Sequence, residues 1–390
     1  MREVTLADIT LSITDGKHGD CEGQDASGYY FISCKDVKDG RVLYEQARQI
    51  TEHDFLDAHK RTRLEPNDIL ITNSGTIGRM AFIHDCAETG RTTFQKSVAI
   101  VKPDTSQVLP KYLYYQLQTC VDQFINQSNG SAQKNLLLST MRAFKLTIHS
   151  DFILQRRIAD ILSAYDDLIE NNQKQIKLLE EAAQRLYREW FVELRFPGHE
   201  TTPVVDGVPE GWERKHLVDI AEVQYGYAFD GSLFNSEKKG KPIIRIRNIP
   251  DARTNDYTTE EADEQYLVRN GDIVVGMDGE FHINSWADET AYLVQRTCRI
   301  RPNNTEMNGF LLWAIYDPIK FFEKTVVGAT VAHLGKKHID TIELLIPPAE
   351  IYRHFDSLFN KRQLLMNQNV LLAEARDRLL PKLISGEVEV

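Results

Sequence analysis

Eleven histidines and five cysteines are enough raw material for a metal centre or a nucleophile, so their spacing decides. His53 and His59 stand six apart in a charged segment, and no HExxH or other close ligand pair occurs. Cys21, Cys34, Cys86, Cys120 and Cys298 are odd in number, scattered and never spaced as CxxC. That argues against a thiolate zinc site or a disulfide framework and predicts a reducing, cytoplasmic location. Ser74-Gly75-Thr76-Ile77-Gly78-Arg79 has two glycines, but a phosphate-cradling P-loop needs GxxxxGK[ST], and no lysine follows. There is no GxSxG elbow and no GxGxxG after a strand. Ile346-Pro347-Pro348-Ala349 lacks the leading Asn or Asp and the trailing aromatic of an amino-methylating site. Carboxylate-x-Lys triplets such as Asp36-Val37-Lys38 and Glu237-Lys238-Lys239 arise by chance in so charged a chain. The chain reads as non-catalytic, with no metal or cofactor of its own.

A different chemistry is present. Short segments in both halves carry glycine, amide, hydroxyl and basic residues, the groups that hydrogen-bond base edges and touch phosphates. In the first half they are Lys17 with His18, Lys35, Ser74-Gly75-Thr76 with Arg79, Gln95-Lys96, and Asn129-Gly130-Ser131 with Gln133-Lys134. In the second half they are Tyr227, Arg245 with Arg247-Asn248, Asp278 with Glu280, Gln295-Arg296, Thr330 with His333, and Lys336-Lys337. Asp278 repels phosphate, yet a carboxylate accepts from cytosine N4 and so belongs in a base-reading set. Any one of these fits a solvated turn equally well; their recurrence raises the set above its members.

The net charge of −11 argues against gripping DNA by bulk attraction. The deficit is local, however. Residues 191–348 hold 17 basic side chains against 25 acidic, including the run Glu260, Glu261, Asp263 and Glu264. Residues 1–150 are close to balance at 17 against 18. At 390 residues the chain exceeds one ordinary domain, and 42% apolar composition excludes wholesale disorder. Its longest apolar stretch, Phe310 to Tyr316, is too short to cross a bilayer, and the first residues lack the apolar core of a secretory signal.

The elements that must position these loops are written twice. Leu6-Ala7-Asp8-Ile9 recurs as Leu217-Val218-Asp219-Ile220, an offset of 211. Pro66-Asn67-Asp68-Ile69-Leu70 recurs as Asn270-Gly271-Asp272-Ile273-Val274, an offset of 204. Leu113, Leu136 and Leu146-Thr147-Ile148 recur at 198 as Leu311, Leu334 and Leu344-Leu345-Ile346. Leu178-Leu179-Glu180-Glu181-Ala182 recurs at 193 as Leu371-Leu372-Ala373-Glu374-Ala375. Each copy predicts short strands (Tyr29–Ser33, Asp68–Thr72, Ser97–Val101; Ile243–Ile246, Asp272–Val275, Thr297–Ile300), then a helical patch (Lys111–Phe124; Gly309–Phe322). A long helix closes each copy. Ile158, Tyr165, Asn172, Leu179 and Leu186 fall at heptad steps, with Ile161, Leu168, Gln175 and Ala182 three residues on. Ile351, Leu358, Leu365, Leu372 and Leu379 repeat the step. Such heptads predict coiled-coil packing, and about 58 Å of helix over 152–190 predicts a spacer. The expected boundaries are 1–150 for a first β-rich domain, 151–190 for a spacer helix and 191–213 for a linker. A second domain occupies 214–348, and a second helix with its tail 349–390.

Several stretches resemble the specificity subunit of type I DNA restriction–modification systems. They are Gln155-Arg156-Arg157-Ile158-Ala159 with Asp166-Asp167-Leu168-Ile169-Glu170-Asn171-Asn172, Glu189-Trp190-Phe191 with Arg195-Phe196-Pro197-Gly198, Pro209-Glu210-Gly211-Trp212, and Arg378-Leu379-Leu380-Pro381-Lys382-Leu383-Ile384-Ser385-Gly386. The resemblance implies an α+β fold: two target-recognition domains held apart by two antiparallel helices as a pseudo-twofold repeat. It implies a non-enzymatic subunit that reads a bipartite double-stranded DNA target. Two methylation subunits would dock on it, and restriction subunits would join them. S-adenosylmethionine, ATP and magnesium would then belong to those partners. Two alternatives stay open: a type II-like system whose partner fuses nuclease and methyltransferase, and a scaffold that never touches DNA. The start of the chain departs from the pattern, since no Gly-Trp precedes Val4-Thr5-Leu6.

Overall fold

The computed structural model describes residues 1–130, 134–325 and 332–390. The chain divides into two compact units: Met1–Asp166 with Ala375–Val390, and Asp167–Glu374.

In unit 1 an antiparallel sheet runs in the order Thr10–Asp15, Val98–Pro103, Ile69–Thr72, Met80–Phe82. In unit 2 the order is Ala221–Tyr225, Thr297–Pro302, Ile273–Gly276, Ile283–Ser285, the same topology. The duplicated sequence therefore folds as a duplicated sheet. Ile69–Thr72 and Ile273–Gly276 are buried along their whole length because both faces are covered. Alternation sorts their side chains: Ile69 and Ile71 face one apolar cluster, Leu70 another. Ile273, Val275 and Val274 divide likewise in unit 2.

The 204 offset has a structural cause. Asn67 and Gly271 both take left-handed backbone, φ +75° and +86°, in the turn that leads into the strand. The aspartate that follows closes that turn. The Glu65 N–H donates to Asp68 Oδ2 at 2.8 Å, and the Arg269 N–H to Asp272 Oδ2 at 2.7 Å. Each carboxylate then meets a cation on the neighbouring strand, Lys102 at 2.7 Å or Arg301 at 2.6 Å. Burial pushes the Asp68 carboxyl above its ordinary range, although Lys102 opposes this.

Each copy adds a parallel strand pair, Tyr30–Ile32 with Thr92–Phe94 and Lys241–Ile244 with Ala291–Leu293. Beside it the copies part. Unit 1 inserts a helix, Glu52–Thr62, capped by Thr51, whose side chain accepts from the Asp54 N–H, and ended by left-handed Arg63. Unit 2 instead places a strand, Leu267–Val268, antiparallel to Ala291–Leu293. The helix was hidden in the sequence because its interior is mostly charged. Each expected helical patch is two short helices: Pro110–Gln118 with Val121–Asn126, and Asn308–Ala314 with Tyr316–Thr325.

The long helices are Phe152–Tyr187 and His354–Ser385, the second preceded by the short Ala349–Tyr352 that holds Ile351. In unit 2 the Asn172 amide donates to Asn369 Oδ1 at 2.9 Å and the Arg362 Nε donates to Glu180 at 2.7 Å. Numbers rise on one helix as they fall on the other, so the two run antiparallel. Asn172 is buried, the polar seam position expected to fix register. The companion row differs from the expected heptad. Leu168 and Ala182 are exposed, while Leu162 and Ala183 are buried, four residues after Ile158 and Leu179. A nearly straight helix carries its stripe to i+4 as readily as i+3. The second helix also continues through Pro381 to Ser385. Tyr187 stacks on Phe191 at 4.8 Å and packs against the core of unit 2. The linker contains a hairpin, Val204–Val205 with Val208–Pro209, turned by Asp206-Gly207 with both φ positive.

Candidate nucleic-acid interface

Strand register places the candidate loops of each unit at one end of its sheet. In unit 1, Asp15 ends one strand opposite Ala99, and Thr72 ends another opposite Val98. Residues 16–18, 73–79 and 95–97 therefore emerge together. Backbone hydrogen bonds join them. The Lys17 N–H donates to Phe94 O at 2.8 Å and the Gln95 N–H to Ile32 O at 2.8 Å. The Asn73 N–H donates to Ser97 O at 3.0 Å and the Leu136 N–H to Asn73 O at 2.8 Å. Ser74 bridges Asn135, which in turn pairs with Asn129. The Cys34 N–H reaches the Ser97 hydroxyl at 3.2 Å, which brings Lys35 into the same set.

Unit 2 repeats the wiring. The Tyr227 N–H donates to Leu293 O at 2.9 Å and the Gln295 N–H to Tyr227 O at 2.7 Å. The Val294 N–H donates to Ile244 O at 3.2 Å, beside Arg245. The Met277 N–H donates to Arg296 O at 2.9 Å and the Leu334 N–H to Met277 O at 2.8 Å. Asp278 bridges His333 as Ser74 bridges Asn135. Met277 stands 204 after Asn73, and Leu334 stands 198 after Leu136, the offsets of the sequence repeat. One glycine per copy makes the close approach possible. A Cβ on Gly16 would lie 2.0 Å from Phe94 O, and one on Gly226 2.0 Å from Val294 O. No side chain fits there.

The side chains differ in their commitments. Lys35, Arg79, Lys96 and Lys134 make no ion pair among the described residues, and Lys35, Thr76, Lys96 and Lys134 are exposed. Lys17 lies 3.5 Å from Asp57 and 3.7 Å from Asp54, while His18 Nε2 lies 3.1 Å from Asp15. In unit 2, Arg247 pairs with Asp256, and its Nε donates to that carboxylate at 3.1 Å. Asn248 is occupied structurally, its Oδ1 accepting from the Arg245 N–H at 2.8 Å and its amide donating to Asp256. The Arg245 guanidinium sits 5.7 Å over the Phe234 ring. Tyr227 packs edge-on to Phe229 at 4.8 Å. Glu280 lies 3.5 Å from the His282 ring. Asp278 holds His333 at 2.6 Å and Arg296 at 3.5 Å. Gln295, Lys336 and Lys337 are exposed, and the two lysines make no ion pair among the described residues. Ser131, Gln133 and Thr330 lie outside the described residues.

The sequence reading missed Asn73. It is buried, its backbone joins two of the loops, and its Oδ1 has no hydrogen-bond partner among the described residues. The signal was available, since the 204 offset that pairs Ser74 with Asp278 also pairs Asn73 with Met277.

Comparison with known proteins follows the same lines. The family described as "Type I restriction modification DNA specificity domain" matches residues 15–181 and again 209–371. The type I restriction enzyme MjaIX specificity subunit of Methanocaldococcus jannaschii is 28% identical over 382 residues, covering 92% of this chain and 87% of that one. The HindI specificity subunit of Haemophilus influenzae is 23% identical, covering 99% of both. The crystal structure of a type I restriction–modification system S subunit from M. genitalium superposes with a TM-score of 0.54 at 15% identity, covering 98% of this chain and 96% of that one; it shares the fold. Two copies of one sheet, two loop sets wired alike and a family match over most of both halves place this chain in the family of type I restriction–modification DNA specificity subunits, as a specificity protein and not an enzyme.

Proposed function

We propose that the chain reads a bipartite double-stranded DNA target, one half-site with each loop set, and carries two methylation subunits. The observation that supports this most is the repeated wiring. Candidate segments that are far apart in sequence are joined in each half by matching backbone hydrogen bonds and bridges. Such a set presents hydroxyls, amides and guanidiniums on rigid strands, the arrangement base-edge reading requires. Residues 1–150 and 214–348 act as the two target-recognition domains. Residues 151–190 and 349–390 act as the spacer, with 191–213 linking the copies. A two-part reader gains affinity because the second half-site binds at high effective concentration.

The helices leave Leu168, Leu178, Leu364 and Leu371 exposed, and these apolar side chains are the ones we assign to contact with the methylation subunits. S-adenosylmethionine belongs to those subunits; ATP and magnesium belong to restriction subunits that join them. Long-read methylation mapping in a host carrying this chain with its methylation subunit tests the reading. A split motif with a fixed gap is the expected result. A continuous motif, or methylation without sequence preference, contradicts it.

A further inference from the structure

Unit 2 places one carboxylate, one guanidinium and one imidazole on three of its loops. His333 Nδ1 lies 2.6 Å from Asp278 Oδ1. A carboxylate only accepts, so that ring nitrogen carries the hydrogen. Arg296 Nη1 lies 3.3 Å from the same nitrogen, which therefore has no lone pair to offer it. Arg296 meets Asp278 only at 3.5 Å, from Nε to Oδ2. The consequence is specific. Asp278 Oδ1 is satisfied, Oδ2 keeps acceptor capacity, and the terminal Arg296 nitrogens keep their donors. The Arg296 side chain is 56% exposed. Its backbone is left-handed, φ +71°, a conformation that L side chains rarely adopt and that recurs where surroundings dictate a functional geometry. The surroundings do so here: Arg296 O accepts from the Met277 N–H, and Asp278 bridges His333.

Two adjacent donors beside one acceptor complement one base pair. Guanine offers N7 and O6 as neighbouring acceptors in the major groove, and its cytosine offers the N4 donor. An A·T pair presents acceptor, donor, acceptor, which a two-pronged guanidinium cannot match. We infer that Arg296 and Asp278 together read a single G·C pair in the half-site of unit 2, with His333 as the positioning residue that holds the carboxylate. The inference rests on the DNA-reading assignment above and deepens it.

The test uses the chain in complex with its methylation subunit. First, methylation maps compare the wild type with Arg296→Ala and Asp278→Asn. Both variants should relax discrimination at the same G·C position of one half-site and leave the other half unchanged. Relaxation at two different positions, at an A·T position or at none overturns the pairing. Second, binding to duplexes with 7-deazaguanine at that position tests the wild type directly, alongside an Arg296→Ala variant shown to be folded by its unchanged recognition of the other half-site. The wild type should lose affinity on the order of tenfold or more, and Arg296→Ala should be indifferent; equal loss in both overturns the inference. His333→Ala should weaken discrimination at that pair, and His333→Asn, the residue unit 1 carries as Asn135, should restore it. Failure to restore removes the positioning role. A wild type with no sequence preference would instead refute the DNA-reading assignment itself.

Discussion

The two loop sets share their wiring and differ in their charge. In unit 1, Lys35, Arg79, Lys96 and Lys134 stand without ion pairs among the described residues. In unit 2, Arg247 and Arg296 are answered by Asp256 and Asp278, and only the candidate lysines, Lys336 and Lys337, stand without ion pairs among the described residues. Free cations attract phosphate at long range and in proportion to released counterions. Paired ones are nearly neutral at a distance and act only in contact. The comparison teaches that the scaffold fixes where side chains are presented, while the two copies are free to weigh backbone attraction against base discrimination differently. A net charge of −11 is compatible with DNA reading because cations without ion pairs among the described residues stand in both loop sets, Lys35, Arg79, Lys96 and Lys134 in unit 1 and Lys336 and Lys337 in unit 2.

The comparison breaks most visibly at the paired glycines. Gly16→Val and Gly226→Val each drive a side chain into a backbone carbonyl. Each should cost about 1–3 kcal/mol or more and abolish recognition of its own half-site only. Thermal melts with half-site competitor duplexes check this; simultaneous loss of both half-sites would mean the loop sets are not independent. Exposed leucines come next. Leu178→Asp with Leu371→Asp should loosen the methylation subunits in co-purification while both half-sites are still recognised by the chain.

A salt titration sharpens the charge difference. Lys35→Ala with Lys96→Ala should reduce the slope of log affinity against log salt by roughly 2. Arg247→Ala should change it much less, because Asp256 already neutralises that guanidinium. Equal slopes would erase the distinction between the sets.

The smallest effect concerns stability. Asp356 in unit 2 stands 197 residues after Ala159, which is buried in unit 1. Burial raises the Asp356 carboxyl to about 6. The folded chain thus binds this proton more tightly than the unfolded chain, and the associated stability is full at low pH and lost as pH rises through about 6. Asp356→Asn should raise the melting temperature at pH 8 and leave it nearly unchanged at pH 4.

Much of this was legible from residues alone. The repeat, the matching positions of the loops in both copies and the seam position of Asn172 follow from offsets and heptads, while the antiparallel pairing was only implied by the family resemblance. The Glu52–Thr62 helix escaped because propensity and capping, without an apolar stripe of any length, mark it weakly. The companion row of the central helix was misplaced by one residue because 3.6 residues per turn allow both i+3 and i+4. Which loop cations are paired was illegible: Asp256 and Asp54 reach their partners through tertiary folding, and sequence separation says nothing about it.

The central claim is that each copy reads its half independently. Replacing residues 1–150 with those of another specificity subunit, followed by long-read methylation mapping, tests it directly. One half of the methylated motif should change, with the other half and the gap preserved. A map in which both halves change would contradict the account.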